Sequence, residues 1–411
     1  MVLSALRHLL WFRKCEKLDA DSLRKIQEEK LQELFKAAKT TKAYSHLDFE
    51  SLESLPFTEK RALRDNPESF VVAGKDPATL QYRQTSGSTG IPTKVYVDAE
   101  DAAYREAYRY FADMSAGRSP YRTFVHIYPM NFKPKLLFRL SGLFPKTYLP
   151  VHDSEEKNLA GLLRAKPHTV RTYPSTMFFL AQLNNASGNR LSFQNAVCDS
   201  EYLDDETRKS IEESFSCRAM NQYGSMEIAY AARECPEERK MHVDTFAHAF
   251  ELVGDNGKPV KSGEGEIVIT PLLNRTTPLI RYRIGDRAEW GGECSCGRQT
   301  PTLKRIVGRT DDLVVLPSGK VRPGMAFHPG GKFTEFLSMQ IVQEEPDLFA
   351  VKYVPIGKDI PDHVKEHVRG RIEHASLGEK VRVEFEPVKS IKKGRTGKIR
   401  VVVSKVRPGS V

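Results

Sequence analysis

The sequence has no apolar run near the roughly 20 residues that a membrane-spanning helix needs. Its opening segment, MVLSALRHLLWF, is interrupted by Arg7 and His8 and precedes no small-residue cleavage site, so it indicates an amphipathic packing helix. Six cysteines in 411 residues are too few for a disulfide scaffold, which favours a reducing cytoplasm. We therefore expect a cytoplasmic protein with no membrane partner.

Low-complexity tracts and internal repeats are also absent, and the composition is that of a globular protein. A chain of 411 residues is too long for one ordinary hydrophobic core, so two domains are expected. The net charge of +10 comes from 63 basic and 53 acidic residues spread along the chain. This balance suits an anionic ligand such as ATP and is too diffuse to require nucleic acid.

The order of apolar segments predicts an α/β fold. From residue 123 onward, short apolar strands alternate with helical patterns, which is typical of a largely parallel sheet. Between residues 241 and 283 the hydrophobic period shifts towards two, which predicts an antiparallel subdomain. We expect a large N-terminal domain over residues 1–309 and a small α/β domain over residues 310–411.

Local signals predict where several helices begin. Asp21 and Ser22 precede apolar residues at helical spacing, and either is a candidate N-cap. Asp98 is a candidate cap for a later helix. Pro174 stands where the first turn of another helix would accept it.

A glycine-rich stretch, QYRQTSGSTGIPTKVYVD at residues 81–98, carries alternating glycines and hydroxyls before a β-branched strand pattern. Glycine turns tightly without a Cβ clash, so such a loop can aim backbone N–H groups and hydroxyls at phosphate oxygens. The loop does not end in Gly-Lys-Ser/Thr, which excludes the common nucleotide-binding loop. Taken alone, it fits a phosphate-binding loop and an unliganded surface loop equally well.

Three later segments favour the phosphate-binding interpretation: NQYGSME at residues 221–227, RYRIGD at 281–286 followed by GRTDD at 308–312, and GRTGKIR at 394–400. In this order the motifs resemble those of the AMP-forming adenylating superfamily, which includes acyl-CoA synthetases, carrier-loading adenylation domains and luciferases. LPFTEKRALRDN at residues 55–66 and CSCGR at 294–298 make the likeness strongest to the phenylacetate-CoA ligase branch.

The resemblance implies an enzyme that activates a carboxylic acid with ATP as acyl-AMP, releases pyrophosphate, and transfers the acyl group to a thiol, most simply coenzyme A. It implies that adenine lies between Tyr223 and the backbone of Ser200 and Glu201, beside Gly224 and Ser225. The residues that would hold the β- and γ-phosphates are Thr85, Ser86, Gly87, Ser88, Thr89 and Gly90.

Further roles follow from the same resemblance. Asp286 and Arg309 would bind the ribose hydroxyls, and Glu227 would help to bind Mg²⁺, a hard ion that prefers carboxylate oxygens. Lys398 would reach the α-phosphate and the substrate carboxylate, and Asp311 would be the hinge of a mobile C-terminal lid.

Each of these residues has a simpler structural interpretation. Glu227 could be a carboxylate at a helix start, Tyr223 a core aromatic residue, and Asp286 and Arg309 a surface pair. Lys398 lies in a charge run that could be a solvated face. For the first four we favour the functional interpretation, because their motifs support one another.

The acyl pocket is expected near His126, Tyr173 and Gly224, where aromatic side chains would suit an aryl or arylacetic acid. That substrate preference comes from the resemblance. His126 could instead be a histidine that packs between strands, and we favour packing slightly.

Four soft ligands flank the expected antiparallel subdomain: Cys235, His242, Cys294 and Cys296. Three thiolates and an imidazole would close a tetrahedral zinc site with no open position, which indicates a structural metal without a catalytic role. Some members of the branch carry a structural zinc in this region. Buried free cysteines and a core histidine are the alternative.

Two rival functions remain open from the sequence. The same adenylation could deliver the acyl group to an acyl carrier protein or an amine. A protein of another class would be a zinc-stabilised, basic nucleic-acid-binding protein built around residues 392–400, although that segment has no aromatic residues among its basic ones. We expect no nucleic-acid partner and leave a homodimer open.

Overall fold

The computed structural model describes residues 2–84, 93–129, 144–309, 313–327, 335–392 and 400–406. These residues form two compact units. The first unit takes its described residues from Met1–Ala116 and Gln222–Val307, and the second from Gly117–Asn221 and Gly308–Val411. The division of the chain at residue 309 stays a prediction.

Helices of the first unit come mainly from the N-terminal part of the chain. They are α1 (Val2–Cys15), α2 (Ala20–Ala38), α3 (Lys60–Asp65) and α4 (Ala99–Ser115), with 3₁₀ turns at Pro67–Phe70 and Pro77–Thr79. The expected amphipathic first helix is present, because Phe12 and Cys15 of α1 pack with Tyr108 and Phe111 of α4 in one buried cluster.

Strands that lie wholly or mostly in the first unit form a hairpin and a sheet. The hairpin pairs β1 (Gln81–Gln84) with β2 (Lys94–Val97). The sheet strands are β8 (Ala229–Glu234), β9 (Met241–Val243), β10 (His248–Val253), β11 (Glu264–Pro271), β12 (Tyr282–Gly292) and β13 (Thr302–Arg309), in the order β10-β11-β12-β13-β9-β8. The pairs β10/β11 and β11/β12 are antiparallel, as predicted for residues 241–283. The pair β8/β9, which begins before that range, is antiparallel as well.

The second unit opens with parallel strands alternating with helices. Its strands are β3 (Phe124–Tyr128), β4 (Lys146–Pro150), β5 (Thr169–Thr172) and β6 (Asn195–Asp199), and its helices are α5 (Glu155–Ala165), α6 (Pro174–Ala186) and α7 (Asp205–Phe215). These strands pair in the order β6-β5-β3-β4, all parallel. Strand β7 (Arg218–Ser225) begins in the second unit and ends in the first.

The C-terminal part of the second unit has its own small core. Its strands are β14 (Leu313–Val315), β15 (Val321–Pro323), β16 (Phe336–Glu345), β17 (Leu348–Pro355), β18 (Arg382–Pro387) and β19 (Val402–Ser404), with a 3₁₀ turn at Gly324–Phe327 and helix α8 (Asp362–Ala375). A four-stranded sheet of order β18-β17-β16-β19 shares a buried cluster with α8, and Phe178 of α6 packs against that cluster. The predicted α/β fold class is therefore confirmed.

No helix within the described ranges combines the length and the apolar composition needed to cross a membrane.

Candidate active site

Glu227 lies in the tight turn that joins β7 to β8, and it is only 1% exposed. The strand register shifts between Tyr223 and Gly224, and Ala229 enters β8 with a positive φ of 65°. The two backbones are so close that a Cβ on Gly224 would lie 2.2 Å from the carbonyl oxygen of Ala229. The sequence Tyr-Gly-Ser therefore allows a turn that points a carboxylate inward.

Arg105 of α4 fixes the same turn from the other side. Its Nη1 donates to the carbonyl of Met226 at 2.9 Å, and its Nη2 donates to the carbonyl of Glu227 at 2.7 Å. Burial lowers the pKa of Arg105. The two carbonyls accept hydrogen bonds from its buried guanidinium and so offset part of the cost of burying it. The backbone at Glu227 also donates to Oγ of Ser225 at 3.2 Å.

The Glu227 carboxylate has two different oxygens. Oε1 accepts a hydrogen bond from the hydroxyl of Tyr282 at 3.3 Å and lies 3.8 Å from Nζ of Lys60. Oε2 is buried and accepts no hydrogen bond from the part of the chain that the structure describes. A buried carboxylate oxygen without a donor is costly, and it is a suitable ligand for a hard divalent cation.

Tyr223 and Asp286 are in direct contact, although they are 63 positions apart. The Tyr223 hydroxyl donates to Oδ2 of Asp286 at 2.7 Å, and the Tyr223 ring packs in the largest apolar cluster of the first unit. Asp286 follows Gly285, whose φ of 86° breaks the regular twist of β12. Two of the motifs recognised in the sequence therefore meet in the first unit.

The segment at residues 55–66 is held against the start of β12. The N–H of Thr58 donates to the carbonyl of Arg281 at 3.0 Å, and the N–H of Arg283 donates to the carbonyl of Thr58 at 3.1 Å. The Arg281 guanidinium donates to the carbonyl of Leu55 at 2.8 Å. These bonds place Lys60, the first residue of α3, beside Glu227.

In the second unit, Ser200 and Glu201 follow β6. Ser200 has a positive φ of 66°, so the chain turns sharply at the carboxyl end of that strand. Oε2 of Glu201 accepts a hydrogen bond from the N–H of Ser175 in the first turn of α6, at 3.0 Å. The adenine wall predicted here is thus a fixed turn within its own unit.

The predicted acyl-pocket residues of the second unit belong to an aromatic group. His126 is buried and stacks on Tyr128 with ring centroids 4.9 Å apart, and Tyr128 lies 5.3 Å from the Tyr173 ring. Burial raises the pKa of both tyrosines, so they stay neutral and can donate hydrogen bonds. The third predicted residue, Gly224, belongs to the first unit.

Cys235, His242, Cys294 and Cys296 form one cluster, with ligand atoms all within 4.8 Å of one another. The Sγ atoms of Cys235 and Cys294 are 3.6 Å apart, and Sγ of Cys296 lies 3.2 Å from Nε2 of His242. A tetrahedral site with Zn–S bonds of about 2.3 Å would place two thiolates roughly 3.8 Å apart. The donor set and its spacing therefore fit zinc.

Neighbouring groups orient this cluster. Nδ1 of His242 lies 2.9 Å from Oγ1 of Thr300, so Nε2 is the nitrogen that could bind a metal together with the three cysteine sulfurs. Burial lowers the pKa of His242 and so favours the neutral imidazole that a metal requires. Two hydrogen bonds of 2.6 Å join the segment after Cys235 to the segment that carries Cys294 and Cys296. Nζ of Lys240 donates to the carbonyl of Glu293, and the N–H of Ser295 donates to the Glu238 carboxylate.

Several predicted site residues lie outside the described residues: Thr85, Ser86, Gly87, Ser88, Thr89, Gly90, Asp311 and Lys398. Arg309 is the last residue of β13.

Three residues around Glu227 were not predicted: Lys60, Arg105 and Tyr282. Lys60 and Tyr282 stand inside recognised motifs, so the motifs themselves were a usable signal. Nothing in the sequence around Arg105 distinguishes it from Arg109, the other cation of α4.

A family model described as AMP-binding enzyme matches residues 5–271, and one described as CapK C-terminal domain matches residues 326–405. The first match covers more than half of the chain. The chain belongs to the AMP-binding enzyme family, and the superfamily resemblance seen in the sequence is confirmed.

Individual relatives agree with this assignment. The chain is 28% identical to the phenylacetate-coenzyme A ligase of Thermus thermophilus over 341 residues, which are 75% of each protein. It is 25% identical to Protein CapK of Staphylococcus aureus over 375 residues, covering 87% of this chain and 81% of that protein.

Among solved structures, it resembles a 2-hydroxyisobutyryl-CoA ligase in the postadenylation state in complex with 2-HIB-AMP. The TM-score is 0.78 at 17% identity, over 96% of this chain and 92% of that one. This likeness shows a shared fold.

Proposed function

We infer that this chain activates a carboxylic acid with ATP as an acyl-adenylate and then transfers the acyl group to the thiol of coenzyme A. The observation that carries the inference is the hydrogen bond between Tyr223 and Asp286, which joins two motifs of the AMP-binding enzyme family in one unit. The phenylacetate-coenzyme A ligase relatives support an acid–thiol ligase.

In the first half-reaction, a carboxylate oxygen attacks the α-phosphorus of ATP, and the bond from that phosphorus to pyrophosphate breaks. Both reactants are anionic, so the site must supply cations and hydrogen-bond donors. In the second half-reaction, the thiol sulfur forms a bond to the acyl carbon, the bond from that carbon to the AMP phosphate oxygen breaks, and the thiol proton passes to solvent.

The nucleotide would lie against Tyr223, with Asp286 and Arg309 on the ribose. The backbone at Ser200 and Glu201 would form the second wall of the adenine site. Gly224 suits this place, because β7 and β8 approach there too closely for any side chain. The residues proposed for the β- and γ-phosphates are Thr85, Ser86, Gly87, Ser88, Thr89 and Gly90.

Glu227 would hold magnesium through Oε2, the buried oxygen without a donor in the described ranges. When bound, the ion neutralises phosphate charge that would otherwise repel the incoming carboxylate. Tyr282 keeps the carboxylate oriented through its hydrogen bond to Oε1. Lys398 would stabilise the charge on the α-phosphate and the substrate carboxylate.

The acyl group would bind near His126, Tyr173 and Gly224. The phenylacetate-coenzyme A ligase relatives support an aryl or arylacetic acid, to which the rings of His126, Tyr128 and Tyr173 would offer aromatic contacts. Residues 310–411 would act as a lid that turns about Asp311 between the two half-reactions.

The cluster of Cys235, His242, Cys294 and Cys296 would bind structural zinc. Its support is the grouping of four ligand atoms within 4.8 Å and the hydrogen bond that orients His242. Because all four positions are protein ligands, this zinc would link two loops without taking part in catalysis.

The proposed function is tested by ATP–pyrophosphate exchange with a panel of aryl, arylacetic and aliphatic acids. We expect exchange that depends on the acid, followed by AMP release when coenzyme A is added. Release with an acyl carrier protein or an amine instead would identify that acceptor. If no acid supports exchange, the ligase assignment fails, and a steeply salt-dependent shift of labelled RNA would favour the nucleic-acid alternative. A homodimer stays a prediction that light scattering can check.

A further inference from the structure

The segment LPFTEKRALRDN at residues 55–66 marks the phenylacetate-CoA ligase branch, and the reaction described above gives it no role. The structure fixes the segment by main-chain hydrogen bonds between Thr58 and both Arg281 and Arg283. Oγ1 of Thr58 also donates to the carbonyl of Ile280 at 2.6 Å. These contacts fix the start of α3 and thereby hold Lys60 near Glu227.

Lys60 and Glu227 differ sharply in exposure. The Lys60 side chain is 29% exposed and the Glu227 side chain 2%, with 3.8 Å between Nζ and Oε1. A buried carboxylate needs a partner of opposite charge, and within the described residues Lys60 forms the ion pair with Glu227. The lysine thus neutralises the carboxylate from the solvent side.

We propose that Lys60 is an exchangeable counterion of Glu227, paired with it in the empty site and replaced by Mg²⁺ when the nucleotide arrives. This inference rests on the proposed function, since it takes Glu227 as the metal ligand. Two cations at one carboxylate repel each other, so the lysine lowers the affinity for metal while no phosphate is present. A partly exposed ammonium on a flexible stem can then turn to phosphate oxygens.

This exchange makes metal binding depend on the nucleotide. Without ATP, the ammonium competes with the metal for Glu227. With ATP, the phosphates attract the ammonium and also bring the ion. The protein would therefore take up metal with the triphosphate and would bind free metal poorly.

The test measures binding of Mn²⁺ alone, without nucleotide, from the electron paramagnetic resonance signal of the free ion. We expect Lys60→Met to bind Mn²⁺ about tenfold more tightly than the wild type, because a nearby positive charge is removed. Lys60→Arg keeps the charge and should stay near the wild type. Arg61→Met is the matched control, since the Arg61 side chain is 84% exposed and pairs with Asp65.

The double variant Lys60→Met/Glu227→Gln separates this exchange from a general change in charge. The tighter binding should disappear in it, since the coupled carboxylate is gone. The proposal is overturned if Lys60→Met binds Mn²⁺ no more tightly than the wild type, or if the gain survives in the double variant.

Thermal unfolding of every variant in EDTA checks that it folds. Should Lys60→Met fail to fold, Lys60→Gln is measured in its place against the same criteria. The measurement uses neither an acid nor coenzyme A. A lack of exchange with every acid would therefore reject the ligase function without altering this result.

Discussion

The hydroxyl of Tyr223 donates a hydrogen bond of 2.7 Å to the carboxylate of Asp286. The Tyr223 ring belongs to the apolar core of the first unit, so its position is fixed by packing. The hydrogen bond from the phenol to Oδ2 therefore sets the direction of the Asp286 carboxylate. A residue proposed to contact adenine thus also orients the residue proposed to bind ribose.

Removing the Tyr223 hydroxyl should weaken ATP binding while the ring stays in place. We expect Tyr223→Phe to raise the KM for ATP about tenfold, since one hydrogen bond to a charged group contributes about 1.5 kcal/mol. The maximal exchange rate should change little. ATP–pyrophosphate exchange measures both quantities, and Tyr121→Phe, at a position 75% exposed, serves as control. An unchanged KM would mean that Asp286 needs no such orientation.

Lys398→Ala should nearly abolish acid-dependent exchange and leave ATP affinity almost unchanged. A cation that stabilises charge developing in the transition state affects the rate more than ground-state binding. Exchange kinetics and equilibrium binding of ATP separate the two effects. Lys392→Ala, in the same basic segment, is the control. Exchange at the wild-type rate would remove Lys398 from the mechanism.

Gly224→Ala should destabilise the turn that presents Glu227. The added Cβ would lie 2.2 Å from the Ala229 carbonyl oxygen and 2.7 Å from Cα of Tyr230, so β7 and β8 must separate. We expect a loss of about 1–3 kcal/mol in unfolding free energy, as for other overpacked sites. Urea denaturation gives the value. Gly370→Ala in α8 is the control, because a Cβ there meets no atom within 4 Å and alanine favours helix. Equal stability of both variants would contradict the predicted clash.

Local sequence signals gave much of the fold. Asp98 caps α4 by accepting from the N–H of Asp101 at 2.8 Å, and Pro174 occupies the first turn of α6, both as predicted. The predicted cap of α2 was wrong: Asp19 accepts from the N–H of Ser22, and Asp21 lies inside the helix. Two acidic residues precede the same apolar run, and the sequence alone does not show which one faces the free N–H groups.

The surroundings of Glu227 could not be predicted in the same way. Tyr282 is 55 positions and Arg105 is 122 positions away along the chain. Such contacts depend on strand order and on how α4 packs, and neither produces a periodic pattern. The motif resemblance predicted that Tyr223 and Asp286 belong to one nucleotide site, because motifs carry tertiary information that local spacing lacks. The motif LPFTEKRALRDN carries the same kind of information for Lys60, whose contact with Glu227 was not predicted.

The cysteine and histidine cluster should bind one zinc ion per chain. We expect Cys296→Ser and His242→Ala to lower the zinc content measured by plasma mass spectrometry, and a zinc chelator to lower the melting temperature of the wild type. Cys217→Ser is the control, because Cys217 lies outside the cluster. A wild-type protein purified with zinc in the medium and free of the metal would reject the site.

His248 should make the protein less stable as the pH falls. Its ring is fully buried, and burial lowers its pKa from 6.5 to about 4. Between pH 6.5 and 4 the unfolded chain therefore binds a proton at His248 that the folded protein does not. The stability that comes from keeping His248 neutral is complete above pH 6.5 and is lost as the pH falls towards 4.

The free energy of unfolding should change by about 3 kcal/mol over the whole titration, because each unit of pKa shift corresponds to about 1.36 kcal/mol. His248→Gln removes the titration, and a glutamine amide can replace the ring as donor to the Ile228 carbonyl, 3.2 Å from Nε2 of His248. The difference in urea-unfolding free energy between wild type and variant should therefore shift by roughly this amount between pH 7.5 and pH 4.5. Parallel pH profiles for the two proteins would show that His248 is not the group responsible.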